Sequence, residues 1–120
     1  MARILGIVPV LPSQDIARDI EWYRERVGFA TVWFDSMYAV LRRDDFWLHL
    51  QWHADTDDDP LLGGSVIRIF VDDIGPWFEE FVGRGTVTND KLLRDTPWGT
   101  HEFGFFDLNQ NAVFVVQDAA

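Results

Sequence analysis

Cysteine is absent from the 120-residue sequence, which excludes disulfides and thiolate metal sites and fits the reducing cytoplasm. Long apolar runs are absent as well. Nothing approaches the roughly 20 consecutive apolar residues of a membrane helix. The N-terminal run, residues 4–11, is too short for a signal-peptide core, and Pro9 and Pro12 interrupt it. No membrane partner is therefore expected, and a cytoplasmic location is. Basic residues are scarce, ten against twenty acidic ones, for a formal charge of −10. Nucleic-acid binding rests on Lys and Arg neutralising phosphates, so that class is excluded. An anionic surface instead attracts cations and keeps a protein in solution. Phosphate-cradling glycine loops and a nucleophile-elbow serine are missing too, the serines being Ser13, Ser36 and Ser65.

Aromatic residues are abundant. Six Trp and ten Phe stand in a chain that is 48% apolar, enough for a packed core with some left for a concave surface or a subunit interface. The length suits one domain over residues 1–120, since domains commonly run to about 100–150 residues. Residues 4–11 read as a strand with Pro9 at an edge or a chain crossing. Ser13 or Asp15 can cap a helix whose stripe is Ile16, Ile20, Tyr23 and Val27, with Gly28 to end it. Strands are expected over residues 30–34, 38–42 and 46–53, turning at Asp35-Ser36 and Arg43-Asp44-Asp45. In the last of these, Phe46, Leu48, Leu50 and Trp52 share one face, and Trp47, His49, Gln51 and His53 the other.

An acidic connection over residues 54–64, ending in Gly63-Gly64, separates this first module, about 1–53, from a second, about 65–120. There the pattern restarts: a strand over 66–71, then a helix capped by Asp73 that carries Ile74, Trp77, Phe78, Phe81 and Val82 and ends at Gly83 and Gly85. Strands are expected over 86–88, 102–106 and 112–117. The halves align at a constant offset, 73 − 15 = 58, which pairs Asp15-Ile16 with Asp73-Ile74, Tyr23 with Phe81 and Arg26 with Arg84. A repeated strand–helix–three-strand unit follows, giving an α+β domain with helices on one side of curved sheets and a concave face for a ligand.

Metal binding would need convergent donors. His49, Gln51 and His53 share a strand face, but alternate residues lie ~6.8 Å apart, so His49 and His53 are separated by about 13 Å. Metal–ligand distances of ~2.0–2.2 Å rule that pair out; His49 with Gln51, completed by His101, remains open. The paired acids Asp44-Asp45 and Asp72-Asp73 sit at turn and cap positions, where Asp serves the backbone. The aromatics carry a stronger signal. Trp33 and Tyr38 flank a turn, Trp47 shares the face of His49, and Trp98 sits in the turn Thr96-Pro97-Trp98-Gly99. Rings in such places stack on planar ligands and attract cations by ~0.5–2 kcal/mol each, or pack a dimer interface.

Read together, Val8-Pro9-Val10-Leu11 before Asp15-Ile16, Trp22-Tyr23 through Gly28-Phe29, Arg43-Asp44-Asp45, Val71-Asp72-Asp73-Ile74, and Pro97-Trp98-Gly99 with Glu102-Phe103 and Asp107-Leu108-Asn109-Gln110-Asn111 form an ordered series. In that order the whole chain resembles the bleomycin resistance proteins of the glyoxalase/dioxygenase (vicinal oxygen chelate) superfamily. The resemblance implies two βαβββ modules, curved mixed sheets around a concave cavity, and a domain-swapped homodimer in which the N-terminal strand crosses at Pro9. Two grooves then form at the dimer interface. The matching ligand-binding positions are Trp33, Tyr38, His49, Gln51 and Trp98, with Trp47 beside them. Trp33 and Trp98 would sandwich the planar tail of bleomycin, and the acidic surface would draw its cationic end.

Superfamily metalloenzymes place ligands at positions that here are Val8, His49, Val66 and Phe114. Three of these cannot bind a metal, so neither a cofactor nor catalytic or metal-ligating residues are expected. The resulting expectation is a non-catalytic, antibiotic-sequestering protein. Two alternatives stand beside it: a metal-dependent lyase, isomerase or dioxygenase centred on His49, and a small-metabolite binding module of the same fold. Three positions depart from the drug-binding pattern: His49 stands in place of an apolar or acidic residue, Val32 replaces an acid, and the turn over residues 107–111 lacks the usual proline and glycine.

Overall fold

The computed structural model describes residues 2–61, 63 and 65–119. Both helices begin where the repeat places them. Asp15 caps α1 (Ile16–Arg26) by accepting the Arg18 amide, and Asp73 caps α2 (Ile74–Gly83) by accepting the Gly75 amide. Each cap satisfies an amide that the first helical turn leaves without a partner, typically worth ~1 kcal/mol. Ile16, Ile20 and Tyr23 of α1 are buried along the expected stripe. After it, Gly28 takes φ +77, and Gly85 after α2 takes φ +75, the left-handed turn that closes a helix.

The first half forms a four-stranded sheet in the order β1-β4-β3-β2, from β1 (Val10–Ser13), β2 (Ala30–Phe34), β3 (Tyr38–Arg43) and β4 (Phe46–Trp52). Strand β1 lies parallel to β4, and the other pairs are antiparallel. The second half forms a three-stranded sheet in the order β5-β7-β6, from β5 (Val66–Phe70), β6 (Thr100–Phe106) and β7 (Ala112–Asp118). The inner faces of both sheets and both helices meet in one core, in which Leu11, Tyr23, Leu41, Leu48 and Leu50 join Ile74, Phe81, Phe103 and Val115. Full burial of such side chains contributes ~1.5–3 kcal/mol each.

Two expectations for the strands are corrected. Residues 86–88 form no strand: the amides of Thr86 and Val87 both bond the Phe81 carbonyl, and the Thr86 hydroxyl bonds the Arg26 carbonyl. Those groups close the end of α2 and are spent before any ladder can use them. The second module therefore has two strands after its helix instead of three, with an isolated antiparallel bridge, Leu93 to Glu102, where the third would lie. The strand expected over 4–11 begins only at Val10. The Pro9 carbonyl still accepts the His49 amide, but residues 2–9 adopt no regular structure, and Ile4, Leu5 and Ile7 are over 80% exposed. Of the Gly63-Gly64 pair, Gly64 lies outside the described residues.

The repeat reappears in detail where the helices end. Phe29 N–H bonds Tyr23 O and Val87 N–H bonds Phe81 O, the same contact at the same offset. Arg26 donates to the Gly85 carbonyl at 2.8 Å, and Arg84 donates to the Glu25 carbonyl at 3.0 Å. Each module's arginine thus neutralises carbonyls at the other helix's C-terminal end.

Candidate functional site

Strand alternation on β4 buries Leu48 and Leu50 and leaves Trp47, His49 and Gln51 on the open face. The register carries that face across the sheet. His49 stands opposite Val40 on β3 and Val10 on β1, and Gln51 stands opposite Tyr38 and Pro12. Directly opposed residues share a face, with Cβ atoms about 4.5–5.5 Å apart. The Tyr38 hydroxyl and His49 Nδ1 are hydrogen-bonded at 2.8 Å, their rings nearly perpendicular at 79°. Trp47 receives the Arg42 guanidinium 5.2 Å from its ring centroid.

Trp33 reaches this surface through an irregularity. Thr31 pairs with core-facing Leu41, and strict alternation would turn Trp33 the same way. The register shifts between them, so Trp33 pairs with Val40 instead. The extra residue, Val32, is a bulge that re-aims the side chain, and Trp33 remains 52% exposed. Trp33, Val40, His49 and Val10 thus form one cross-strand row.

The sixth candidate, Trp98, belongs to the other sheet. It precedes β6 in a turn where Gly99 takes φ +83, and it is 61% exposed. Its indole N–H donates to Glu102 Oε1 at 3.1 Å, and the second Glu102 oxygen accepts from Arg68 at 2.7 Å. Glu102 itself is buried, 3% exposed. The Arg68 guanidinium lies over the Phe114 ring, 5.4 Å from its centroid, and near that of Phe70. Gly104 leaves room for Phe114: a Cβ there would stand 2.6 Å from the ring. Neither Arg68 nor the Glu102 pairing was anticipated from sequence, although a lone acid in the apolar run of β6 was a usable signal.

His101 does not join His49. It lies on β6, its Nδ1 accepting the Asp95 amide at 3.0 Å. The Asp59 carboxylate takes the Ala54 amide and bonds the His53 ring at 2.7 Å; the amide first and the ring second hold it below the usual carboxylate range. Among the described residues no group of three or more His, Asp or Glu side chains is gathered for a metal. Of the four superfamily metal positions, His49 alone carries a donor side chain.

An open cleft of about 660 Å³ lies beneath the N-terminal segment, lined by Leu5–Pro9, Trp47, Arg68 and Trp77 among others. Of the six candidates, Trp47 alone lines it. Trp33, Tyr38, His49 and Gln51 stand on the first sheet and Trp98 in the turn before β6, so within one chain the candidates do not line one cavity.

Comparison with known proteins accords with this architecture. Residues 4–115 match the model of the Glyoxalase/Bleomycin resistance protein/Dioxygenase superfamily. The bleomycin resistance proteins of Geobacillus stearothermophilus and of Staphylococcus aureus (strain N315) are each 25% identical over 128 residues, covering 95% of this chain and 97% of theirs. The crystal structure of a bleomycin-binding protein from bleomycin-producing Streptomyces verticillus, complexed with copper(II)-bleomycin, matches with TM-score 0.75 and 27% identity, over 96% of this chain and 97% of that one. A bleomycin resistance determinant encoded on transposon Tn5 shares the fold, with TM-score 0.77 at 22% identity over 96% of this chain and 98% of that one.

Proposed function

Because this chain belongs to the Glyoxalase/Bleomycin resistance protein/Dioxygenase superfamily, we propose that it binds a bleomycin-type antibiotic, cationic with a planar aromatic part, and sequesters it without transforming it. The observation that carries this reading is the pair of exposed indoles, Trp33 on the open face of the first sheet and Trp98 in the turn that leads into the second. A planar ligand needs a ring on each side. In one chain Trp33 stands on the first sheet and Trp98 beside the second, and a two-fold dimer brings the first sheet of one protomer against the second sheet of its partner. The groove then lies at the subunit interface. Trp33 and Trp98 stack on the planar part, Tyr38, Trp47, His49 and Gln51 line the floor, and the excess of acidic residues draws the cationic end.

Support for the dimer comes from the apolar N-terminal segment. Ile4, Leu5 and Ile7 are exposed within one chain, and an arm that crosses at Pro9 would bury them against the partner. The protein is then a homodimer whose groove is incomplete without both copies.

Tryptophan-fluorescence titration with bleomycin, metal-free and copper-loaded, tests the reading. Saturable quenching at about one ligand per chain is expected. A useful affinity of ~1 µM corresponds to about −8 kcal/mol, and Trp98→Ala should weaken binding by at least ~1.5 kcal/mol, as removal of a central aromatic anchor does. No response up to ~100 µM, weaker than about −5.5 kcal/mol, or an unchanged affinity in Trp98→Ala, overturns it.

A further inference from the structure

An exposed tryptophan in a turn has several rotamers, and ordering it on binding costs affinity. Trp98 does not stand alone. Its indole N–H is tied to a carboxylate that is itself buried and charge-paired: Glu102 sits on β6 with one oxygen on Trp98 and the other on Arg68. Arg68 in turn is anchored from below, its guanidinium against the Phe114 ring, and Gly104 gives that ring the space to lie there. Four residues on three adjacent strands therefore end at a single exposed ring in the turn before β6. Burying a carboxylate is costly without partners. Core packing gives no reason to retain an acid here, because Glu102 faces away from Phe103 and Phe105, which line the core.

We propose that Glu102, braced by Arg68, is the positioning residue that holds the Trp98 ring ready for a planar ligand. It acts through Trp98 and does not touch the ligand. The inference rests on the ligand-binding reading above, but part of its test needs no ligand.

The first readout is the Trp98 indole cross-peak in a ¹H–¹⁵N spectrum of ligand-free protein, assigned by its loss in Trp98→Phe. In Glu102→Gln, which keeps an oxygen acceptor but removes the charge, this peak should move upfield while the other five indoles stay in place. In Glu102→Ala it should also narrow as the ring gains freedom. The second readout is bleomycin affinity. Glu102→Ala should weaken binding at least fivefold, and the double variant Trp98→Ala/Glu102→Ala should bind no more weakly than Trp98→Ala alone. A Trp98 peak unmoved in Glu102→Gln overturns the proposal, as does additivity in the double variant. If Glu102→Ala fails to fold, the Glu102→Gln spectrum and affinity decide. Loss of binding sensitivity at Trp98 itself would defeat the ligand reading while leaving the spectral result to judge Glu102.

Discussion

The residues that most constrain this molecule are buried acids. Asp19 is 1% exposed, yet its carboxylate takes hydrogen bonds from the Ser13 hydroxyl, Asn109 Nδ2 at 2.6 Å and Arg18 Nε at 2.8 Å. Asp107, also buried, accepts from the Tyr23 hydroxyl at 2.6 Å and from Asn111 Nδ2 at 2.8 Å. Burial and this acid together push the Tyr23 phenol well above its ordinary range, so it stays protonated and a donor. These bonds join α1 to the turn between β6 and β7, one module to the other. Asp19→Ala would strand three donors, and the expected loss of stability is about 2–4 kcal/mol. Urea unfolding checks it: the midpoint should fall with the slope unchanged.

At the scale of the elements, the modules are clamped by Glu80 of α2. Arg43 at the end of β3 forks onto both its oxygens at 2.6 and 2.7 Å, and Arg84 adds a third contact at 2.8 Å. The Arg43 guanidinium also lies 4.3 Å from the Trp77 ring centroid and bonds the Val27 carbonyl. Held by Arg43 first and Arg84 second, the Glu80 carboxyl titrates below its ordinary 4.5. A carboxyl whose folded value is depressed stabilises the protein above its unfolded value and ceases to as pH falls through the folded one. Glu80→Gln should therefore destabilise at pH 7 by about 1–2 kcal/mol, discounted for partial exposure. The gap to wild type should close as pH falls below 4.5, which paired thermal melts at pH 7 and pH 3 would show.

For the whole molecule the decisive question is how many copies make a groove. The proposed groove, with Trp33 from one copy and Trp98 from the other, takes two. The mass in sedimentation equilibrium is expected to be twice 13.9 kDa. Deleting residues 2–8 should shift the protein toward monomer and reduce bleomycin binding at least tenfold. An unchanged mass after deletion would remove the arm from the interface. A monomeric wild type would remove the shared groove.

Much of this was legible along the chain because it is local. Helix starts follow from Asp15 and Asp73, whose side chains cap the turn that follows them. The buried stripes of α1 and β4 follow from periodicities of 3.6 and 2, and the offset of 58 pairs Tyr23 with Phe81 and Arg26 with Arg84, which play matching parts at the two helix ends. Tertiary structure alone decided the rest. Residues 86–88 look like a strand by composition, but the Thr86 and Val87 amides and the Thr86 hydroxyl are spent closing α2 and joining Arg26. The direction of Trp33 depended on a bulge that only pairing with β3 reveals. Arg68, Glu102 and Trp98 are 34 and four positions apart in sequence, and they meet because β5 and β6 flank β7. Local signals report what a residue's own backbone prefers; which side chains share a charge, a ring face or a ligand is settled by the strands that lie between them.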